Sequence, residues 1–130
     1  FGTSVVRVST AADLLKTALY LVSSSQGAGT TAYGATGEVT GTNYTAGGIA
    51  VTNANVPANS GTTAYWTPSA SFSWTNVTLT TSFDCALVYN STQGNKAISV
   101  HTFGAQTITA GNFTLTMPTN DSTNALLRIA

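Results

Sequence analysis

The sequence predicts an all-β fold, a single-domain β-sandwich of jelly-roll or Greek-key type, and three observations carry that prediction. Apolar residues recur at every second position through much of the chain, the period that lines one face of a strand. Between them stand Thr, Ser, Asn and Gly, of which Thr favours strands and can cover the solvent side of a sheet. Turn residues divide the chain at intervals of roughly 8–12 residues, the spacing of sandwiches and barrels. With 130 residues the chain fits one domain, enough to bury about two thirds of the surface its unfolded form exposes. Its 42% hydrophobic content is that of a folding globular protein, so the scarcity of charge does not signal disorder.

The first strand falls at residues 3–9, where Val5, Val6 and Val8 are β-branched and Arg7 interrupts them. Residues 14–22 follow. Ala11, Ala12 and Asp13 could start a helix there, but the run ends in β-rich residues and favours a strand. Over about 23–47 the composition shifts to Ser, Gly, Thr and Ala, which predicts a flexible surface excursion with a short strand at 38–40. After Gly47 and Gly48 the alternation resumes with Ile49 and Val51, then Tyr65, then Phe72 and Trp74, then Val77 and Leu79. Residues 83–89 are apolar nearly throughout, as in a central strand buried on both sides or one passing between faces. A turn at 90–95 precedes strands at 97–103, 106–109, 113–117 and 125–129, giving nine or ten short strands in all. Phe113, Leu115 and Met117 against Thr114 and Thr116 is the cleanest alternation. No fixed repeat supports a solenoid.

Charge restricts function. Asp, Glu, Lys and Arg make up 6% of the chain, against about a quarter in ordinary domains, so most groups that polarise, ligate or shuttle protons are missing. Arg7, Lys16, Lys96 and Arg128 are scattered and form no basic stripe, which excludes direct nucleic-acid binding. A net charge of zero removes the repulsion that keeps copies apart, and a homo-oligomer, dimer or trimer, is expected. Cys85 has no partner for an intrachain disulfide and reads as a small buried apolar residue. No apolar stretch approaches the roughly 20 residues of a membrane span, so no membrane partner is expected. The chain opens at Phe1 rather than Met, and a leader or short N-terminal segment is expected ahead of it.

Candidate chemistry is thin. Gly27-Ala-Gly29-Thr-Thr-Ala32 matches a dinucleotide fingerprint superficially, but that motif must open a helix. The following Tyr33-Gly-Ala-Thr-Gly37 is a poor helix former and reads as a loop. His101, the single histidine, could pair with a serine and with Asp84 or Asp121, yet no Gly-x-Ser-x-Gly elbow presents a nucleophile. It reads as a half-buried strand residue. Asp13, Glu38, Asp84 and Asp121 are too few and too scattered to mark a glycosidase pair. One Cys and one His cannot supply the common zinc sets. Asn120-Asp-Ser-Thr-Asn124 offers oxygens to calcium, but such sites draw on several carboxylates, and an Asx turn accounts for the pattern. No catalytic residue, cofactor or metal site is assigned, and no enzyme is expected. Tyr20, Tyr65, Tyr89, Trp66 and Trp74 fall where core aromatics are expected, whereas Tyr33 and Tyr44, in the excursion, are best placed to touch a partner.

Three stretches taken together carry a resemblance: Gly37-Glu-Val-Thr-Gly-Thr-Asn-Tyr-Thr-Ala-Gly-Gly48; Ala86-Leu-Val-Tyr-Asn-Ser-Thr92 with Lys96-Ala-Ile-Ser-Val-His-Thr-Phe-Gly104; and Pro118-Thr-Asn-Asp-Ser-Thr-Asn-Ala-Leu-Leu-Arg-Ile-Ala130. The chain resembles small structural proteins of tailed bacteriophages, and among them the capsid cement or decoration proteins of podophages. The resemblance implies a β-sandwich subunit on the outer surface of the phage head that binds the major capsid protein and needs no chemistry of its own. It implies capsid or self contacts through the loop that holds Tyr33, Glu38 and Tyr44 and through the N-terminal strand with Val5 and Arg7. The alternative is a carbohydrate-binding or adhesin-like module, or a tail or connector subunit.

Overall fold

The computed structural model describes residues 12–130, and the strand expected at 3–9, with Val5 and Arg7, lies outside them. Seven strands are described: β1 (Leu15–Leu21), β2 (Ile49–Ala50), β3 (Ala58–Ser60), β4 (Thr63–Trp66), β5 (Phe72–Asn90), β6 (Lys96–Leu115) and β7 (Leu127–Ile129). All pairing among them is antiparallel, in one sheet of order β2-β1-β5-β6 and another of order β3-β4-β7. This is the all-β, two-sheet architecture that the alternation predicts.

The number of strands differs from the expectation. The short runs around Phe72, Val77 and Phe83 are one strand of 19 residues, and those at 97–103, 106–109 and 113–117 merge into one of 20 that ends at Leu115. The residues that interrupt the alternation are bulges within one long hairpin, not turns between strands. Register shifts between Trp74 and Val77, and Asn76 and Ala110 take left-handed backbone at φ 51° and 46°. Side chains take up backbone groups at these irregularities. The Asn76 N–H donates to Asn112 Oδ1 (2.9 Å), the Asn76 carbonyl accepts from Asn43 Nδ2 (2.8 Å), and the Ala110 N–H donates to Thr78 Oγ1 (3.0 Å).

These shifts decide which side chains reach the core. In an unbroken strand Val77, Leu79 and Phe83 would lie on the face opposite Phe72, Trp74, Ala86 and Val88. Register shifts at 74–77 and again at 83–85 bring all seven into one cluster with Leu19, Val39 and Val51. Phe83 packs edge-on against Phe103 and Phe113 at 6.1 and 5.1 Å, and Trp74 meets Phe113 at 5.8 Å, so β6 closes the cluster with aromatic contacts.

The other face of the same sheet carries a second cluster of Ala18, Tyr20, Cys85, Leu87 and Tyr89, with Tyr33, Ala97 and Val100 packed against it. Residues 83–89, flanked by β1 and β6, therefore lie between two apolar layers, which accounts for their nearly continuous apolar run. Each fully buried Leu here, such as Leu19 or Leu87, contributes roughly 1.5–3 kcal/mol of transfer free energy. Cys85 is 3% exposed, and burial, reinforced by Asp84, pushes its thiol up to about 11.

The smaller sheet is held by polar straps. Thr67, buried beside the core residue Trp66, accepts the Leu126 N–H on Oγ1 (2.9 Å) and the Asn55 amide on its carbonyl (2.8 Å).

Candidate functional site

The segment 23–47 runs along the outer edge of β1. β2 pairs only with Lys16 and Thr17, which leaves the rest of that edge to be covered. The Val39 N–H donates to Leu19 O (3.0 Å), the Leu21 N–H to Gly37 O (2.8 Å), and Glu38 bridges Tyr20 in antiparallel register. Thr42 and Thr78 exchange two backbone hydrogen bonds of 3.1 Å, tying the segment to β5 as well. The short strand expected at 38–40 is thus a β-bridge at Glu38.

This placement buries a carboxylate. Glu38 is 7% exposed, and its oxygens accept three hydrogen bonds: Tyr33 OH to Oε2 (2.7 Å), Tyr44 OH to Oε1 (2.8 Å) and the Gly47 N–H to Oε1 (2.7 Å). A carboxylate out of water needs such donors, because charge-assisted hydrogen bonds must replace its hydration. The Tyr44 hydroxyl also accepts the Leu19 N–H (2.9 Å), capping a β1 amide at the gap between β2 and Val39. Tyr89 OH donates to Gly47 O (2.7 Å), Tyr20 OH to Gly34 O (2.7 Å), and Tyr33 stacks on Tyr89 with ring centroids 4.7 Å apart and planes 15° from parallel. Four tyrosines and the Gly47 amide thus surround the carboxylate or brace the loop around it.

Glycine makes the turn possible. Gly47 and Gly48 sit at φ 86° and 71°, and a Cβ on Gly48 would run into the Thr17 carbonyl oxygen.

The phenols stay protonated donors. Burial, opposed in part by the hydrogen bond to Gly34 and reinforced by Glu38, pushes Tyr20 up to about 12. Burial and the adjoining carboxylate also raise Tyr33, Tyr44 and Tyr89 above the ordinary phenol value. What the cluster does chemically is fix a loop, with the carboxylate as acceptor and the hydroxyls turned inward.

Of the contact residues expected from the sequence, the structure brings Tyr33, Glu38 and Tyr44 into one network, while Val5 and Arg7 lie outside the described residues. Sequence reasoning missed Tyr20, Tyr89 and Gly47 as members. The available signal was a carboxylate amid small residues, with a tyrosine five positions before it and another six after. His101 is half-buried on β6 with Nε2 2.8 Å from Ser99 Oγ, and burial lowers its pKa. Asp121 accepts from Thr119 Oγ1, the Thr123 and Asn124 amides and the Asn124 side chain, an Asx turn that holds its carboxyl well below the usual range. Among the described residues no three His, Cys, Asp or Glu side chains gather as metal ligands, and no helix is long and apolar enough to cross a membrane. No protein-family model, curated protein or solved structure matches the chain.

Proposed function

We propose that this chain is a structural virion protein, a cement or decoration subunit that binds the outside of a phage head and stabilises contacts between capsomers of the major capsid protein. Its work is binding, without catalysis or cofactor. The observation that carries this reading is the loop 23–47. Glu38 is its one charged residue and is buried, so the outward surface of the loop carries no formal charge. Uncharged surface desolvates at low cost, and depletion of charge marks the centres of lasting interfaces. Because the Glu38 network has already ordered the loop, docking sacrifices little conformational freedom. A ligand that binds only the assembled shell stabilises it by mass action, by about 2.7 kcal/mol at a hundredfold excess over Kd.

The glycan-binding alternative required free tyrosine faces. Tyr33 already covers one ring face with Tyr89, and the Tyr44 hydroxyl is committed to Glu38 and Leu19, so nothing specific favours it.

Co-sedimentation of the purified protein with undecorated capsids tests the proposal. Saturation at a fixed ratio to the major capsid protein is expected, and lysines at the exposed Thr36 and Thr45 should lower the occupancy. Failure of the unmodified protein to bind any capsid lattice would sink the reading, and unchanged occupancy with T36K/T45K would remove the loop from the interface.

A further inference from the structure

Among the described residues β6 lies at the edge of its sheet. Its outer side is covered at the start, where the Ala97 N–H donates to Thr31 O (3.0 Å) and the Tyr33 N–H to Asn95 O (2.9 Å). Past Ala97 no strand pairs with that side among the described residues. Natural proteins guard such edges with charge, proline or brevity. From residue 98 to 115 the edge carries no Asp, Glu, Lys, Arg or Pro. Register shifts recur along its later half, the first with extra β6 residues between Thr102 and Gln106, whereas residues 99–102 pair in regular register with β5. Ile98, Phe103, Ile108 and Phe113 are only partly covered by the core they pack against. Beside the regular stretch lies an open groove of about 360 Å³, lined by Gly27, Ala28 and Thr30 on one side and by residues 97–100 and Thr102 of β6 on the other.

We propose that this edge pairs with β6 of a second copy, antiparallel about a twofold axis near Phe103. Each groove would then receive residues 104–108 of the other copy. Ala105, Gln106 and Thr107 are exposed, uncharged and small enough to lie against the Gly27–Thr30 loop. Twofold pairing sets any residue near the axis against its own counterpart, so a charge there would meet its like. The nearest one on the strand, Lys96, stands at its far end. With a net charge of zero, no long-range repulsion opposes the approach of two copies. The added strand would satisfy the open backbone groups and finish the covering of Phe103 and Ile108.

Self-pairing requires no capsid, so sedimentation equilibrium of the isolated full chain tests it apart from the cement role. The expected result is twice the monomer mass at micromolar concentration, falling to the monomer mass in A105K/T107K with its far-UV circular dichroism unchanged. A monomer across the micromolar range, a trimer, or a dimer that survives the folded double substitution would overturn the proposal. Should A105K/T107K fail to fold, hydrogen exchange on the unmodified protein decides. Protection of amides 98–108 that rises with protein concentration supports pairing between copies, and protection independent of concentration overturns it.

Discussion

Replacing Glu38 by alanine isolates the energetics of the buried network. The substitution removes the acceptor of three hydrogen bonds. The Gly47 N–H is buried and would lose its partner, at a cost of about 1–3 kcal/mol. Tyr44 would keep the Leu19 N–H but lose the acceptor for its own proton, adding about 1 kcal/mol. Tyr33 is half-exposed, so its hydroxyl can turn to water at little cost. The sum is about 2–4 kcal/mol, less whatever desolvation the missing carboxylate no longer suffers. Glu38→Gln keeps an oxygen for Tyr44 and Gly47 and should cost about 1 kcal/mol through loss of charge assistance. Urea unfolding followed by the fluorescence of Trp66 and Trp74 measures both, with an unchanged slope required for the comparison. An alanine variant that loses less than about 0.5 kcal/mol, or no more than the glutamine variant, would refute the reasoning, since orphaned buried donors are expected to cost more than that.

Further outcomes follow from the same geometry. Tyr44→Phe should cost about 1–3 kcal/mol in the same assay because it strips the Leu19 amide of its acceptor, whereas Tyr33→Phe should cost clearly less. Gly48→Ala should destabilise by more than the roughly 1–2 kcal/mol of left-handed strain alone, since its Cβ meets the Thr17 carbonyl oxygen, and thermal unfolding reads this out. Tyr20 titrates near 12 when folded and at 10.0 when free. The folded state therefore holds this proton more tightly, so the contribution of Tyr20 to stability is fully present below pH 10 and is lost as pH rises from 10 towards 12. Denaturation midpoints across that range, beside the phenolate absorbance, check it, and a midpoint that rises between pH 10 and 12 would contradict it.

The strand content was legible because period-two alternation is a local property, and so was the double burial of residues 83–89. The continuity of β5 and β6 was not. Asn76 and Gly111 read as turn residues in isolation, and only the partner strand, with Asn112 and Thr78 answering the displaced amides, turns those positions into bulges. The loop showed the opposite limit. Its composition predicts a mobile excursion, but composition is silent on long-range partners such as Leu19, Thr78 and Tyr89, which hold it. Glu38, Tyr33 and Tyr44 could be singled out for their chemistry, while Gly47 joins them through a backbone amide that no residue type advertises.

The register shifts in β5 give the strand something like a reading frame. Between residues 75 and 84 the inward set runs out of phase with the residues on either side, and shifts at 74–77 and 83–85 stand at the two ends of that stretch. Deleting Asn76 would place Val77, Leu79 and Phe83 in phase with Phe72 and Trp74 along an unbroken strand, so the first shift would no longer be needed. A second deletion, at Asp84, would do the same for Ala86 and Val88. A one-residue length change should therefore be better tolerated at the shifts than within the regular run at residues 85–88, where every side chain beyond it would change face, much as a frameshift garbles all that follows.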